Sequence, residues 1–320
     1  VRRRERTTNI VAPVETPLRP IPTPEPLPPP YTPLPAEVLA NLAETKLEKV
    51  NGVVELSVNG ETRLPLWFFV NTEMDPEARP LAQRQIRLAY EAGVRIFTVL
   101  AHLPWKNRAG ERRYDLLDDV LSFVAENAPD ALILPRLIFS PPGSFVRANP
   151  GDMVRYASGE EGDISIASRK FWEVEADEAL RAAVEHIAQG QFAGRILGFY
   201  LEHGEWLYDK GLGFDASEAN QQSFKSWLRQ KYKNSLVSLR AAWHDGSVTF
   251  ETANVPEWHV PAGNTIFFGT REGRYIDFHE YSSEIAAQTI LRLGKAVKEA
   301  SGGRSAVAVS YGYTLELPRA

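Results

Sequence analysis

With 320 residues, of which 43% are hydrophobic, 24% charged and 10% aromatic, the chain can bury a large core and does not read as a disordered sequence. Its 36 basic and 41 acidic residues leave a net charge of -5, so no basic field draws in phosphate backbones, and nucleic acid is not an expected partner. Cysteine is absent, which removes disulfides, thiol nucleophiles, iron–sulfur clusters and thiolate zinc sites together. No run of about 18 apolar residues offers a membrane span.

Residues 1–36 hold eleven of the 23 prolines and read as an extended polyproline linker, with a ligand for a proline-recognition module as the alternative. Residues 37–65 read as a lead-in helix and β-hairpin: an apolar stretch at 53–58, the turn signal Asn59-Gly60, and a second stretch at 62–66. The apolar run 66–70 is followed by a helical pattern over 80–92 that stops at Gly93, then by a second run at 94–100. The unit recurs with a helix at 116–128, a strand at 131–139, a long helix at 171–188 and a strand at 195–201. A long excursion over 202–254 carries a helix at 218–231 and a segment around Trp243; a helix at 275–300 and a fifth strand at 305–311 follow.

These runs are apolar on both faces, as strands of a parallel sheet covered by helices are. No glycine-rich phosphate loop follows the first one, so the pattern predicts an incomplete (β/α)8 barrel of about five units over 66–320 rather than a doubly wound nucleotide binder. A barrel left open after five strands exposes edge strands and half its core, and further units are expected past Ala320. The chain starts at Val1 rather than a methionine, and its proline-rich lead-in favours an exported or cell-surface protein over a cytoplasmic one.

Active groups of such barrels sit where the strands run out at their C-terminal ends. The first strand ends toward Asn71 and Glu73, the second at His102 and Trp105, the third at Pro141-Pro142-Gly143, the fourth at Glu202-His203-Gly204-Glu205-Trp206, and the fifth at Tyr311-Gly312-Tyr313. A rim of carboxylates and aromatic rings suits a sugar, whose C–H faces stack on rings and whose hydroxyls need paired donors and acceptors. Glycosidic cleavage needs a carboxylic acid with a raised pKa beside the leaving oxygen. Glu205, followed by Trp206, fits best, and Glu202 remains open. The competing reading makes one of these glutamates the ion-pair partner of an arginine such as Arg136 on the third strand.

Trp105, Trp206, Tyr208, Tyr311 and Tyr313 are candidate sugar platforms or ordinary barrel caps. Asn71 and Glu73 could hold hydroxyls, with Glu73 capping the helix after Asp75-Pro76 as the other possibility. His102 and His203 face the same mouth. The six histidines form no HxH pair after the first strand and no HExxH, and no GxSxG elbow occurs, so no metal, no cofactor and no serine-hydrolase chemistry are expected.

Residues 198–206, the run Phe224-Lys225-Ser226-Trp227-Leu228-Arg229-Gln230-Lys231-Tyr232, the segment Leu239-Arg240-Ala241-Ala242-Trp243 and Val255-Pro256 follow one another in this order. Together they resemble the clan-A glycoside hydrolases, and within them the β-galactosidase-like family 42 and its relatives. Residues 140–154, with Pro141-Pro142 and Asn149-Pro150, resemble that family's third-strand loop. The likeness covers residues 62–313 and is most specific over 196–258.

It implies a retaining hydrolase of β-linked sugars such as β-galactosides, with an acid/base glutamate ending the fourth strand and a nucleophilic glutamate on the seventh. The family places asparagine before the acid/base. Here Gly204 precedes Glu205 and His203 precedes Gly204, so the choice between Glu205 and Glu202 stays open, and His203 is the candidate to replace that asparagine's contact with the sugar. No counterpart of the nucleophile occurs up to Ala320, and this stretch alone is expected to be inactive. A carbohydrate-binding or scaffold barrel without catalysis is the alternative.

Overall fold

A computed structural model of the protein describes residues 31–70, 78–204, 206, 213–257 and 273–310. Nearly all of the proline-rich stretch lies outside the described residues. A short helix α1 (Ala36–Leu39) leads into a three-stranded antiparallel meander of β1 (Thr45–Val50), β2 (Val53–Val58) and β3 (Glu61–Arg63). The sequence predicts only the second hairpin of this meander. Both turns are Asn-Gly pairs with positive φ at each residue, 51° and 86° at Asn51-Gly52 and 51° and 82° at Asn59-Gly60, the type I′ geometry that matches strand twist. Lys46, Glu48 and Lys49 dilute the apolar pattern of β1, so its signal is the turn rather than the strand.

The central sheet follows. Strands β4 (Trp67–Val70), β5 (Ile96–His102) and β6 (Leu132–Ile138) alternate with helices α2 (Arg79–Glu91) and α3 (Asp115–Asn127). The loop after β6 holds α4 (Gly143–Ala148) and a small antiparallel pair, β7 (Met153–Arg155) with β8 (Glu161–Ile164). Next come α5 (Ala176–Gln189), β9 (Gly198–Glu202), α6 (Glu218–Lys231), α7 (Leu236–Trp243), α8 (Gly273–Ala300) and β10 (Ala306–Val309). Five strands, β4, β5, β6, β9 and β10, pair in parallel and lie in the sheet in chain order. This is the α/β barrel architecture expected from the sequence, with β4 and β10 at its two edges.

Boundaries differ from the periodicity for local reasons. The second barrel strand starts at Ile96 rather than at 94, because Val94 N–H bonds Ala89 O at 3.0 Å and closes α2 over Gly93 at φ 95°. The fourth starts at Gly198 rather than at 195, because residues Ala193–Arg195 form a 3-10 turn whose Arg195 guanidinium donates to Ala128 O and Ala131 O. The helix expected over 171–188 opens as a π turn, Lys170–Glu175, before α5.

Side chains of the sheet alternate. Phe97, Val99, Ala101, Ile133, Leu137, Phe199 and Leu201 face the helices in the main core, each large one contributing about 1.5–3 kcal/mol on burial. Small residues of α5, namely Ala176, Ala179 and Ala183, are fully buried and let that helix lie close to the sheet. Gly198 serves the same end within the sheet, since a Cβ there would stand 2.3 Å from Ala306 O on β10. The opposite, inner face packs Ile96, Leu134 and Leu197 on Leu56 and Val58, so the meander closes the N-terminal end of the sheet.

The excursion after β9 builds a second core from Phe224, Trp227, Leu239, Trp243, Phe278 and Tyr281. Buried Asp277 fixes it, accepting from Lys231 Nζ, Tyr232 OH and Trp243 Nε1 at 2.7 Å each.

Candidate active site at the strand ends

Register decides what meets at the C-terminal rim. Arg136 on β6 lies opposite Tyr200 on β9, and Ile138 lies between His102 on β5 and Glu202 on β9. With a period of two, Arg136, Tyr200, Glu202 and His102 therefore share the inner face. The Arg136 guanidinium stands 4.3 Å from the Phe69 ring centre and 4.6 Å from that of Tyr200, a cation held between two π faces. Its Nε donates to Glu202 Oε2 at 2.8 Å, and Nη2 donates to the same oxygen. The other oxygen, Oε1, accepts the Gly204 N–H at 3.1 Å. Both side chains are largely out of water, 20% exposed for Arg136 and 15% for Glu202, so the pair is an internal one. Tyr200 OH bonds Ser310 Oγ across the next strand boundary.

The strand end then turns sharply. Gly204 has φ 52° and Trp206 φ 65°, and Trp206 N–H closes the turn onto His203 O at 3.2 Å. Positive φ at a bulky aromatic residue is uncommon and persists only where its surroundings fix it. Here the surroundings are rings: Trp206 lies 5.4 Å from Trp172 and 6.2 Å from Phe139, while His203 sits edge-on between Trp172 at 4.9 Å and Trp206 at 5.4 Å. Burial pushes the His203 pKa below its usual range, with Asp163 partly opposing, and burial lowers that of half-buried His102 too. Both imidazoles are thereby kept neutral near pH 7, each with one donor and one acceptor nitrogen.

Of the residues the sequence singles out, the structure brings together Arg136, Glu202, His203 and Trp206, with His102 in the same register row as Glu202. Trp105 lies beside them, half-buried against Phe171 at 5.5 Å. Trp206, expected among the sugar platforms, is only 5% exposed, and its faces are taken up by Trp172, Phe139 and His203; its place is in the core beneath the rim. Arg136, expected to bind substrate or to pair with a glutamate, is engaged by Glu202. Asn71, Glu73, Glu205, Tyr208, Tyr311 and Tyr313 lie outside the described residues. Sequence reasoning passes over Phe69, Tyr200 and Trp172. The first two share the parity of Arg136 along their strands, which is a readable signal; Trp172 is aimed by the π turn, which has none. Among the described residues no group of three or more His, Asp or Glu side chains is placed to hold a metal ion.

No family model and no curated protein matches the chain. Solved structures do. A β-galactosidase from the psychrophilic Marinomonas ef1 superposes with TM-score 0.56 at 16% identity, over 76% of this chain and 36% of that one. A β-galactosidase from the Antarctic haloarchaeon Halorubrum lacusprofundi gives 0.57 at 16% identity, over 77% and 36%. The catalytic domain of β-amylase from Paenibacillus polymyxa gives 0.58 at 16% identity, over 75% and 64%. The chain thus has the fold of TIM-barrel glycosidases, and it spans about a third of the length of the β-galactosidases, 36% in each case.

Proposed function

We propose that this chain forms the N-terminal and central part of a retaining glycoside hydrolase acting on β-linked sugars such as β-galactosides, with Glu205 as proton donor and then general base. The carrying observation is the engagement of Glu202: one oxygen takes two guanidinium hydrogens of Arg136 and the other takes the Gly204 N–H. With both oxygens of Glu202 taken up, we read Glu205, the other glutamate of the 202–206 motif, as the proton donor. Neutral His203 and His102 supply hydrogen bonds to sugar hydroxyls. The nucleophile is a glutamate from outside this stretch, about 5 to 5.5 Å from the donor, as a double displacement with retention requires.

The test is Glu205→Gln in the polypeptide as its gene encodes it. Turnover of an unactivated β-galactoside should fall about 10²- to 10⁴-fold, while an aryl galactoside whose leaving group needs no proton should lose far less, and the alkaline limb of the pH profile should vanish. The same pattern from Glu202→Gln, with Glu205→Gln unaffected, assigns the donor to Glu202 instead. The second reading, a carbohydrate-binding barrel without catalysis, is favoured by the missing Asn-Glu pair and by the Arg136–Glu202 clamp. It predicts sugar binding by calorimetry and no turnover in the parent protein.

A further inference from the structure

Asparagine before glycine lets a backbone nitrogen attack the neighbouring side-chain amide, because glycine has no Cβ to block the approach. The chain has two such pairs, Asn51-Gly52 and Asn59-Gly60, and each is preceded by valine, so sequence context alone gives them the same reactivity. Their surroundings differ. Asn59 is tied twice to Glu44: its N–H donates to Glu44 O at 2.8 Å, and its Oδ1 accepts the Glu44 N–H at 2.8 Å. The Asn51 side chain, in the turn between β1 and β2, has no hydrogen-bond partner among the described residues and is exposed.

The turn at Asn51 is also free to open. Val50 and Val53, which flank it, are 39% and 64% exposed, and a Cβ built on Gly52 would meet nothing within 4 Å. The meander is seated at its other end, where Leu56 and Val58 pack on Ile96, Leu134 and Leu197. Val50 and Val53 form the last rung of the β1–β2 ladder, so the Asn51 backbone swings once that rung frays, whereas Asn59 must first leave Glu44.

We propose that Asn51 is a self-modification site, where the side-chain amide becomes a carboxylate far ahead of Asn59. Gly52 N attacks Asn51 Cγ: the new C–N bond closes a succinimide ring, the Cγ–Nδ2 bond breaks, and the Gly52 N–H proton leaves with the amide nitrogen as ammonia. Water then opens the ring. Attack at Cγ gives aspartate, and attack at the backbone carbonyl carbon gives isoaspartate, whose main chain runs through Cγ. The net change is amide plus water to carboxylic acid plus ammonia, with nothing oxidised or reduced. It puts a negative charge at a hairpin end that already sets Glu48 opposite Glu55, and isoaspartate lengthens a two-residue turn on which the register depends. The seat at Leu56 and Val58 lies beyond this change, and the site is at the opposite end of the sheet from the rim.

The test needs no variant, since Asn59 is the internal reference. The native polypeptide, as its gene encodes it, is held folded in mildly alkaline heavy-oxygen water, digested and read by mass spectrometry; each ring opening leaves one heavy oxygen in the aspartyl or isoaspartyl product. Asn51 should take up label at least about tenfold faster than Asn59, and the two rates should converge in urea. Equal rates in the folded protein overturn the proposal, as does a folded Asn51 that stays unlabelled while the unfolded chain reacts. A difference that persists undiminished in urea also overturns it, because the Glu44 hydrogen bonds would then not be what separates the two sites.

Discussion

Arg136 is held by Phe69 from β4 and by Tyr200 and Glu202 from β9, so removing it affects more than a charge. Arg136→Met keeps the stem between the rings and leaves the Glu202 carboxylate with only the Gly204 N–H. Stranding a largely buried charge costs about 3–5 kcal/mol where burial is complete, and the residual exposure of this pair brings the expected loss to about 2–4 kcal/mol. Urea denaturation measures it, and a double variant, Arg136→Met with Glu202→Leu, should recover part of the loss; an unchanged midpoint in Arg136→Met would show that the pair contributes nothing. Both residues were legible in the sequence as members of the rim. Their pairing was legible only as the competing reading, with either glutamate as partner, because the choice of Glu202 depends on the register of β6 against β9, strands separated by the whole of α4, the β7–β8 pair and α5.

At the scale of elements, the parallel strands were readable because each is apolar on both faces, and α6 was readable because Ser217 supplies an N-cap, its Oγ accepting the Asn220 N–H at 3.3 Å. The β7–β8 pair escaped because strands of three and four residues in a polar loop carry no periodicity. Gly198 shows a different kind of constraint. Its φ is ordinary, but the space for a Cβ is filled by Ala306 backbone, with O at 2.3 Å and C at 2.8 Å. Gly198→Ala must therefore push β10 away from β9, and neither partner can yield because both atoms belong to the ladder. The expected loss is about 2 kcal/mol or more, with hydrogen exchange at Val307 and Val309 rising first. Exchange there equal to the parent's would show that the two strands part at no cost.

For the molecule as a whole, acid stability follows from groups of opposite sign. Burial holds the His102 and His203 imidazoles below the ordinary 6.5, so below about pH 6.5 the unfolded chain takes up protons that the native molecule refuses. Stability contributed by these two groups is present above that pH and is lost as pH falls toward the native values. Asp215 acts the other way. Burial pushes its carboxyl above 3.8, against hydrogen bonds from Ser165 and Ser217, so the native molecule keeps a proton the unfolded chain has already lost. Its contribution is fully present below about pH 3.8 and disappears as pH rises through the raised native value. Urea midpoints should therefore fall between about pH 7.5 and 5.5, and the fall should be shallower in His203→Asn. Midpoints that rise on acidification over that window would mean that the imidazoles at the rim are charged in the native molecule, and the neutral hydrogen-bonding role assigned to His203 and His102 would fall with them.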